Sequence, residues 1–179
     1  MVCRSWRQLV AGLIFLLAQD VVFAAPGLRT PRRGETLELQ GKVLACHDGD
    51  TCRVATKQGV VKVRFWGIDA PELRQSEGPI AKRHLESLIV GSEVRLLCSG
   101  RSYQRLTCEV FRNAENINQK MVADGMAFDS PKYSKGKFAR QMKEAQSRGQ
   151  GIWKTIKRSP ACFRKKRSAP CKLDPLVQE

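Results

Sequence analysis

KVRFWGIDAPE, residues 62–72, is a strand that runs into an acidic turn. Val61, Val63 and Phe65 alternate with polar residues, the period of two expected of a half-buried strand. That period puts Arg64 on the face opposite the apolar set, where it needs an anion, a carboxylate or open water. The turn then offers Asp69 and, after Ala70-Pro71, Glu72.

Working outward, the same periodicity recurs. Leu39, Val43 and Ala45 form part of one strand, HDGDT at 47–51 carries an Asp48-Gly49-Asp50 turn, and Cys52 and Val54 continue. Val94, Leu96 and Cys98, then Leu106, Cys108 and Val110, supply two more strands. About five strands are enough to close a small barrel. Helices are expected between and after them. Pro79 suits a first turn, with Ile80, Leu85, Leu88 and Ile89 as the apolar stripe and Gly91 at the end. A second helix starts near Asn116 or Asn118, turns Met121 and Val122 inward and stops by Gly125. A third spans about 135–148 with Phe138, Met142 and Ala145 on one face, after which Trp153 folds back into the core.

Asp50, at a strand start, and Asp69, just after the strand bearing Arg64, can meet at one end of such a barrel. Paired carboxylates are costly unless a cation or proton lies between them. With no histidine or thiolate close in sequence, oxygen ligation of Ca²⁺ or Mg²⁺ is the natural chemistry. Taken singly, DGD is ordinary turn chemistry and Asp69-Ala70-Pro71-Glu72 an exposed acidic turn. The set is what counts: two carboxylates, a further acid in Glu72, and the guanidiniums of Arg64 and Arg105, the latter in SYQRL at 102–106. These are the parts needed to cut a phosphodiester.

The 179 residues imply one domain. Residues 1–24 have the order of a signal peptide: Arg4 and Arg7, an apolar run from Leu9 to Ala18, and Val22-Phe23-Ala24 before the cut. The apolar run is short for a membrane span, so export to periplasm or medium without stable membrane insertion is expected. Residues 25–36 read as a flexible lead-in, 37–155 as the folded domain and 156–179 as a basic tail. Setting Cys3 aside leaves six cysteines, an even number that fits disulfides in an oxidising compartment. Spacing favours Cys46–Cys52, Cys98–Cys108 and Cys162–Cys171; no CxxC pair or Cys/His cluster speaks for zinc. The net charge is +15, and +14 without residues 1–24, a field that draws polyanions without choosing among nucleic acid, anionic lipid and sulfated polysaccharide. The tail is either solvated or a disulfide-tied basic arm that grips nucleic acid.

DGDT, VRFWGIDAPE, YQR and GIW, in this order and spacing over about residues 38–154, resemble the staphylococcal nuclease-like (thermonuclease) family. The resemblance implies a mainly β fold with α, an OB-fold five-stranded barrel carrying about three helices. It implies Ca²⁺-dependent hydrolysis of DNA and RNA that leaves 3′-phosphates. On that resemblance Asp50 and Asp69 match metal ligands, with the backbone carbonyl of Ala70. Glu72 matches the residue that handles the attacking water. Arg64 and Arg105 match the arginines on the phosphate, and Tyr103 and Tyr133 the tyrosines flanking the nucleotide. A monomer acting on single-stranded or locally melted nucleic acid is expected. The chain departs from the pattern where Arg101 replaces an aspartate, Gln104 a glycine in the turn aiming Arg105, and Pro131 a third tyrosine. His47 is read as a strand-end residue and His84 as structural. The alternative from another class is an OB module that binds single strands without cutting them. Such a module gains nothing from Asp50, Asp69 and Glu72, which repel phosphate in the absence of a metal.

Overall fold

The computed structural model describes residues 29–32 and 34–165. The expected signal peptide and Cys171 lie outside the described residues, and with them the Cys162–Cys171 pairing. Five strands form the barrel: β1 (Leu37–Cys46), β2 (Thr51–Thr56), β3 (Gly59–Phe65), β5 (Glu93–Ser102) and β6 (Arg105–Arg112). Antiparallel pairing runs β3-β2-β1-β5-β6, and a parallel β3–β6 ladder, Val63 opposite Leu106 and Phe65 opposite Cys108, closes the cylinder. The OB-fold barrel expected from the sequence is therefore present. A short β7 (Glu115–Asn116) extends β6, and β4 (Ile68–Asp69) pairs apart with β8 (Phe128–Asp129).

The barrel closes because β1 belongs to two neighbours at once. Its first half pairs with β5 and its second with β2, and Gly41 stands opposite both Val94 and Thr56. A Cβ there would lie 2.1 Å from the Ala55 carbonyl oxygen, so the corner requires glycine. A bulge after Val43 then shifts the register. It turns Ala45, expected inward, out to solvent and brings Cys46 in. Both barrel disulfides, Cys46–Cys52 and Cys98–Cys108, join residues directly opposite each other in their ladders, as the spacing anticipated.

Among the described residues five α-helices decorate the barrel, where about three were expected. The first, α1 (Gly78–Ile89), begins on Pro79 and buries Ala81, Leu85 and Ile89; Ile80, expected inward, is exposed because the i, i+4, i+8 stripe falls one residue later. Next comes α2 (Ile117–Ala123), capped by the Asn116 side chain, which accepts from the Gln119 N–H at 3.0 Å. The helix expected at 135–148 is the shorter α4 (Ala139–Ser147), and α3 (Pro131–Ser134), which was not expected, precedes it. Lys135 and Gly136 both take positive φ, and the Ser134 hydroxyl accepts from the Gly136 N–H at 3.0 Å, which ends the first turn. Trp153, on a 3₁₀ turn (Gly151–Lys154), packs edge-on against Phe128 with ring centroids 4.4 Å apart, the core plug the sequence implied. A further helix, α5 (Pro160–Arg164), lies in the basic tail. No helix among the described residues is long and apolar enough to cross a membrane.

Candidate active site

One end of the barrel gathers the chemistry. The β1–β2 hairpin turns through 47–50 with the Asp48 carboxylate accepting from the Asp50 N–H at 3.0 Å, a local turn closed by Cys46–Cys52. Gly49 packs so tightly that a Cβ would sit 2.7 Å from the Ala70 methyl and 2.9 Å from that of Ala81. The turn is thereby pressed against the loop after β4. Asp50 completes the junction: its carboxylate accepts from the Ala70 N–H at 2.8 Å and the Thr51 hydroxyl at 3.1 Å. The two segments that sequence pairing brought together on paper are thus bonded directly.

Arg64 sits opposite Thr51 in the β2–β3 ladder, between the buried Val63 and Phe65. Its guanidinium forks. Nη1 pairs with Asp50, while Nη2 donates to Asp69 at 3.0 Å and to the Ile68 carbonyl at 3.2 Å. Burial lowers its pKa, opposed by Asp69 and Asp48 and reinforced by the positive charge of Arg105 and Arg164. An arginine so lowered is still charged at neutral pH. Arg105 approaches from β6 and reaches the hydroxyl of Thr51, the ladder partner of Arg64, at 3.4 Å. The hairpin that aims Arg105 places its positive φ on Tyr103, not on Gln104, which explains how glutamine replaces glycine there without strain. Arg101 is occupied locally, donating to the Tyr103 carbonyl at 2.6 Å.

Three residues that sequence reasoning missed organise this site. Asn118, fully buried, accepts from the Val110 N–H at 2.9 Å and donates to the carbonyls of Trp66 at 2.8 Å and Cys108 at 3.2 Å. It clamps the turn between β3 and β4, the strand that carries Asp69. Gln75 accepts from the Glu72 N–H at 3.0 Å and donates to the Arg158 carbonyl at 2.9 Å, tying the Glu72 loop to the tail. Arg164, read only as one more basic tail residue, donates to both oxygens of Asp69 at 3.0 and 2.7 Å and to Glu72 at 2.6 Å. These bonds to Asp69 and Glu72 raise its pKa further above the ordinary arginine range. No sequence signal marked any of the three, since polar residues in a helix, a loop and a tail are ordinary.

Arg64 thus joins Asp50 to Asp69, Arg164 joins Asp69 to Glu72, and Arg105 reaches Thr51 beside Asp50. Tyr103, 90% exposed on its hairpin, and Tyr133, 58% exposed on α3, make no contact with the acids and stand open to solvent. His47 is exposed beside Asp48, while His84 pairs with Asp124 at 2.8 Å on the far side of α1, a structural contact. The donors available at the acids are all oxygen, which fits a hard divalent cation. Asp50 and Asp69 supply two carboxylates with Ala70 beside them, leaving other positions to water. No three His, Cys, Asp or Glu side chains among the described residues form a ready-made metal cluster.

A family model described as staphylococcal nuclease homologue matches residues 62–155. An uncharacterized endonuclease of Haemophilus influenzae is 39% identical over 115 residues, 63% of this chain and 65% of that protein. An uncharacterized endonuclease of Escherichia coli is 30% identical over 119 residues, 65% of this chain and 78% of that protein. A micrococcal nuclease of Shigella flexneri is 31% identical over 129 residues, 65% of this chain and 74% of that protein. The chain thus spans just under two thirds of the Haemophilus relative and more of the other two.

Proposed function

The chain belongs to the staphylococcal nuclease homologue family, and from that premise we propose that it is an exported, Ca²⁺-dependent phosphodiesterase acting on DNA and RNA. The observation that carries the reading is the junction of Asp50, Asp69 and Arg64, with Glu72 held one bridging group away. A binding module has no use for three acids at the point where it must receive phosphate.

The residues divide the work. Asp50, Asp69 and the Ala70 carbonyl would hold Ca²⁺, which would supply Lewis-acid polarisation of a phosphate oxygen. Glu72 takes the proton from a water placed in line with the bond to the 5′ oxygen. That oxygen leaves with the electron pair of the P–O bond, and the phosphate stays on the 3′ side. Arg64 and Arg105 hold the charge that grows on the equatorial oxygens, each contributing on the order of 3–4 kcal/mol if it acts like a lost oxyanion donor. Tyr103 and Tyr133 are free to stack on the flanking base. Nothing in this set reads a 2′-hydroxyl, which favours little sugar specificity and 3′-phosphate products from either nucleic acid. Export to periplasm or medium is supported by the order of residues 1–24 and by two disulfides built into the strand ladders. The protein acts as a monomer in this reading.

One observation favours the second reading, a catalytically weak module that binds single strands. Asp69 and Glu72 are already paired with Arg164. Hydrolysis of linear single-stranded DNA by the oxidised protein, in Ca²⁺ against EGTA, separates the two. Cutting that needs Ca²⁺ and is lost in Glu72→Gln and Arg64→Ala is the expected result. Salt-sensitive binding without cutting would replace the enzyme with the module.

A further inference from the structure

Arg164 fills the seat that the metal and its water need. Its guanidinium takes both oxygens of Asp69 and one of Glu72, at 2.6–3.0 Å. A cation brought to Asp69 meets a like-charged guanidinium on both carboxylate oxygens, and a water on Glu72 is left the Oε2 oxygen, so the two occupancies oppose each other. We propose that the C-terminal arm is an internal lock: Arg164 and the metal compete for Asp69 and Glu72, and the site loads only when the arm lets go. The inference rests on the metal-dependent reading above and adds a threshold to it, so that the protein stays idle until the metal is abundant enough to displace the arm.

Four observations make the contact a lock and not a fixed part of the site. First, the Arg164 side chain is 45% exposed while that of Arg64, on the same Asp69, is 19% exposed. Second, α5 is a helix of five residues outside the barrel core, with Pro160 buried and the Arg158 carbonyl before it held by Gln75. So short a helix is marginal on its own and depends on its attachments. Third, the guanidinium has room to leave: it borders a cavity of about 550 Å³ walled by His47, Arg74, Arg158 and Phe163. Fourth, a hard divalent cation is the better partner for clustered carboxylates, because it carries twice the charge and accepts several oxygens at once.

Competition lowers the apparent metal affinity by the fraction of molecules with the arm released. Calorimetric titration of the oxidised full chain with CaCl₂, without nucleic acid, reads that affinity directly. Arg164→Ala and Arg164→Gln are expected to bind Ca²⁺ about 10- to 100-fold more tightly than the wild type. Arg164→Lys keeps the charge and loses the fork, so it should fall between them. Arg158→Ala removes a neighbouring charge that does not touch the acids and should stay within about twofold of wild type. Melting curves of the variants superimposable on wild type keep the comparison on the arm. Unchanged or weaker binding in both Arg164→Ala and Arg164→Gln would overturn the lock. So would Arg158→Ala tightening as much as they do, since general charge would then be the cause. Tight binding in Arg164→Ala with no cleavage by any form would keep the lock and discard the nuclease reading instead.

Discussion

Asp69 is held by two arginines that reach it in opposite ways. Arg64 comes from five residues away, on a strand whose neighbours Val63 and Phe65 are core. Arg164 comes from 95 residues away, on a short helix outside the barrel. Both make good hydrogen bonds, yet the cost of breaking them differs. Removing a buried partner strands a charge in low dielectric, while an exposed partner is replaced by water. Contact geometry alone thus does not tell a working part from a removable one; what carries the side chain does.

The sharpest way to break that contrast is Arg64→Lys. The charge survives but the fork linking Asp50 and Asp69 does not, and hydrolysis at saturating Ca²⁺ should fall about 10²–10³-fold. A fall of less than fivefold would remove the distinction between the barrel-borne arginine and the arm-borne one.

The rigidity behind Arg64 and Asp69 has a single polar keystone, Asn118. Asn118→Ala leaves the Val110 N–H and the Trp66 carbonyl without the Asn118 side chain, while the Cys108 carbonyl keeps the Trp66 N–H. A loss of roughly 3 kcal/mol in urea unfolding is expected, the scale of a buried network broken at one member. If stability drops by less than about 1 kcal/mol, the site end of the barrel is not held as the hydrogen bonds imply.

Gln75 joins the two regions, so its loss should act on both. Gln75→Leu unties the Glu72 loop and the Arg158 carbonyl together. Turnover is expected to fall about tenfold as Glu72 loses its aim, while Ca²⁺ binds more tightly as the arm loosens. Movement of both quantities in the same direction would show that Gln75 serves the loop or the arm, not the bridge between them.

How much of this was legible in the sequence follows from how each part is encoded. The strands of the barrel carry a two-residue period, so β1, β2, β3, β5, β6 and both barrel disulfides could be read locally, whereas β4 was read as an acidic turn. The exceptions were one-residue effects: the bulge that exposes Ala45, the stripe that buries Ala81 in place of Ile80, and the left-handed Lys135 that ends α3 and delays the next helix to Ala139. Each depends on a register or φ value that packing sets. Asp50, Asp69, Glu72, Arg64 and Arg105 were visible because spacing and residue type act together. Arg164 was not, since a basic residue in a basic tail has no local pattern, and its meaning lies in a contact spanning 92 residues to Glu72.

The smallest expected effect probes whether the arm is energetically separate from the barrel. Ser159 caps α5, its hydroxyl accepting from the Cys162 N–H at 3.3 Å. Ser159→Ala should weaken the arm by about 0.5–1 kcal/mol, the lower part of the range for a lost cap. If the arm opens independently, that deficit appears as a two- to fivefold gain in Ca²⁺ affinity, because the released fraction rises by the same factor (~RT ln 5 is about 1 kcal/mol). The barrel would not register it, and the melting temperature should stay within about 1 °C of wild type. A melting loss of several degrees without tighter metal binding would mean that arm and barrel unfold as one unit. Arg164 would then be structural, and the contrast between the two arginines one of exposure alone.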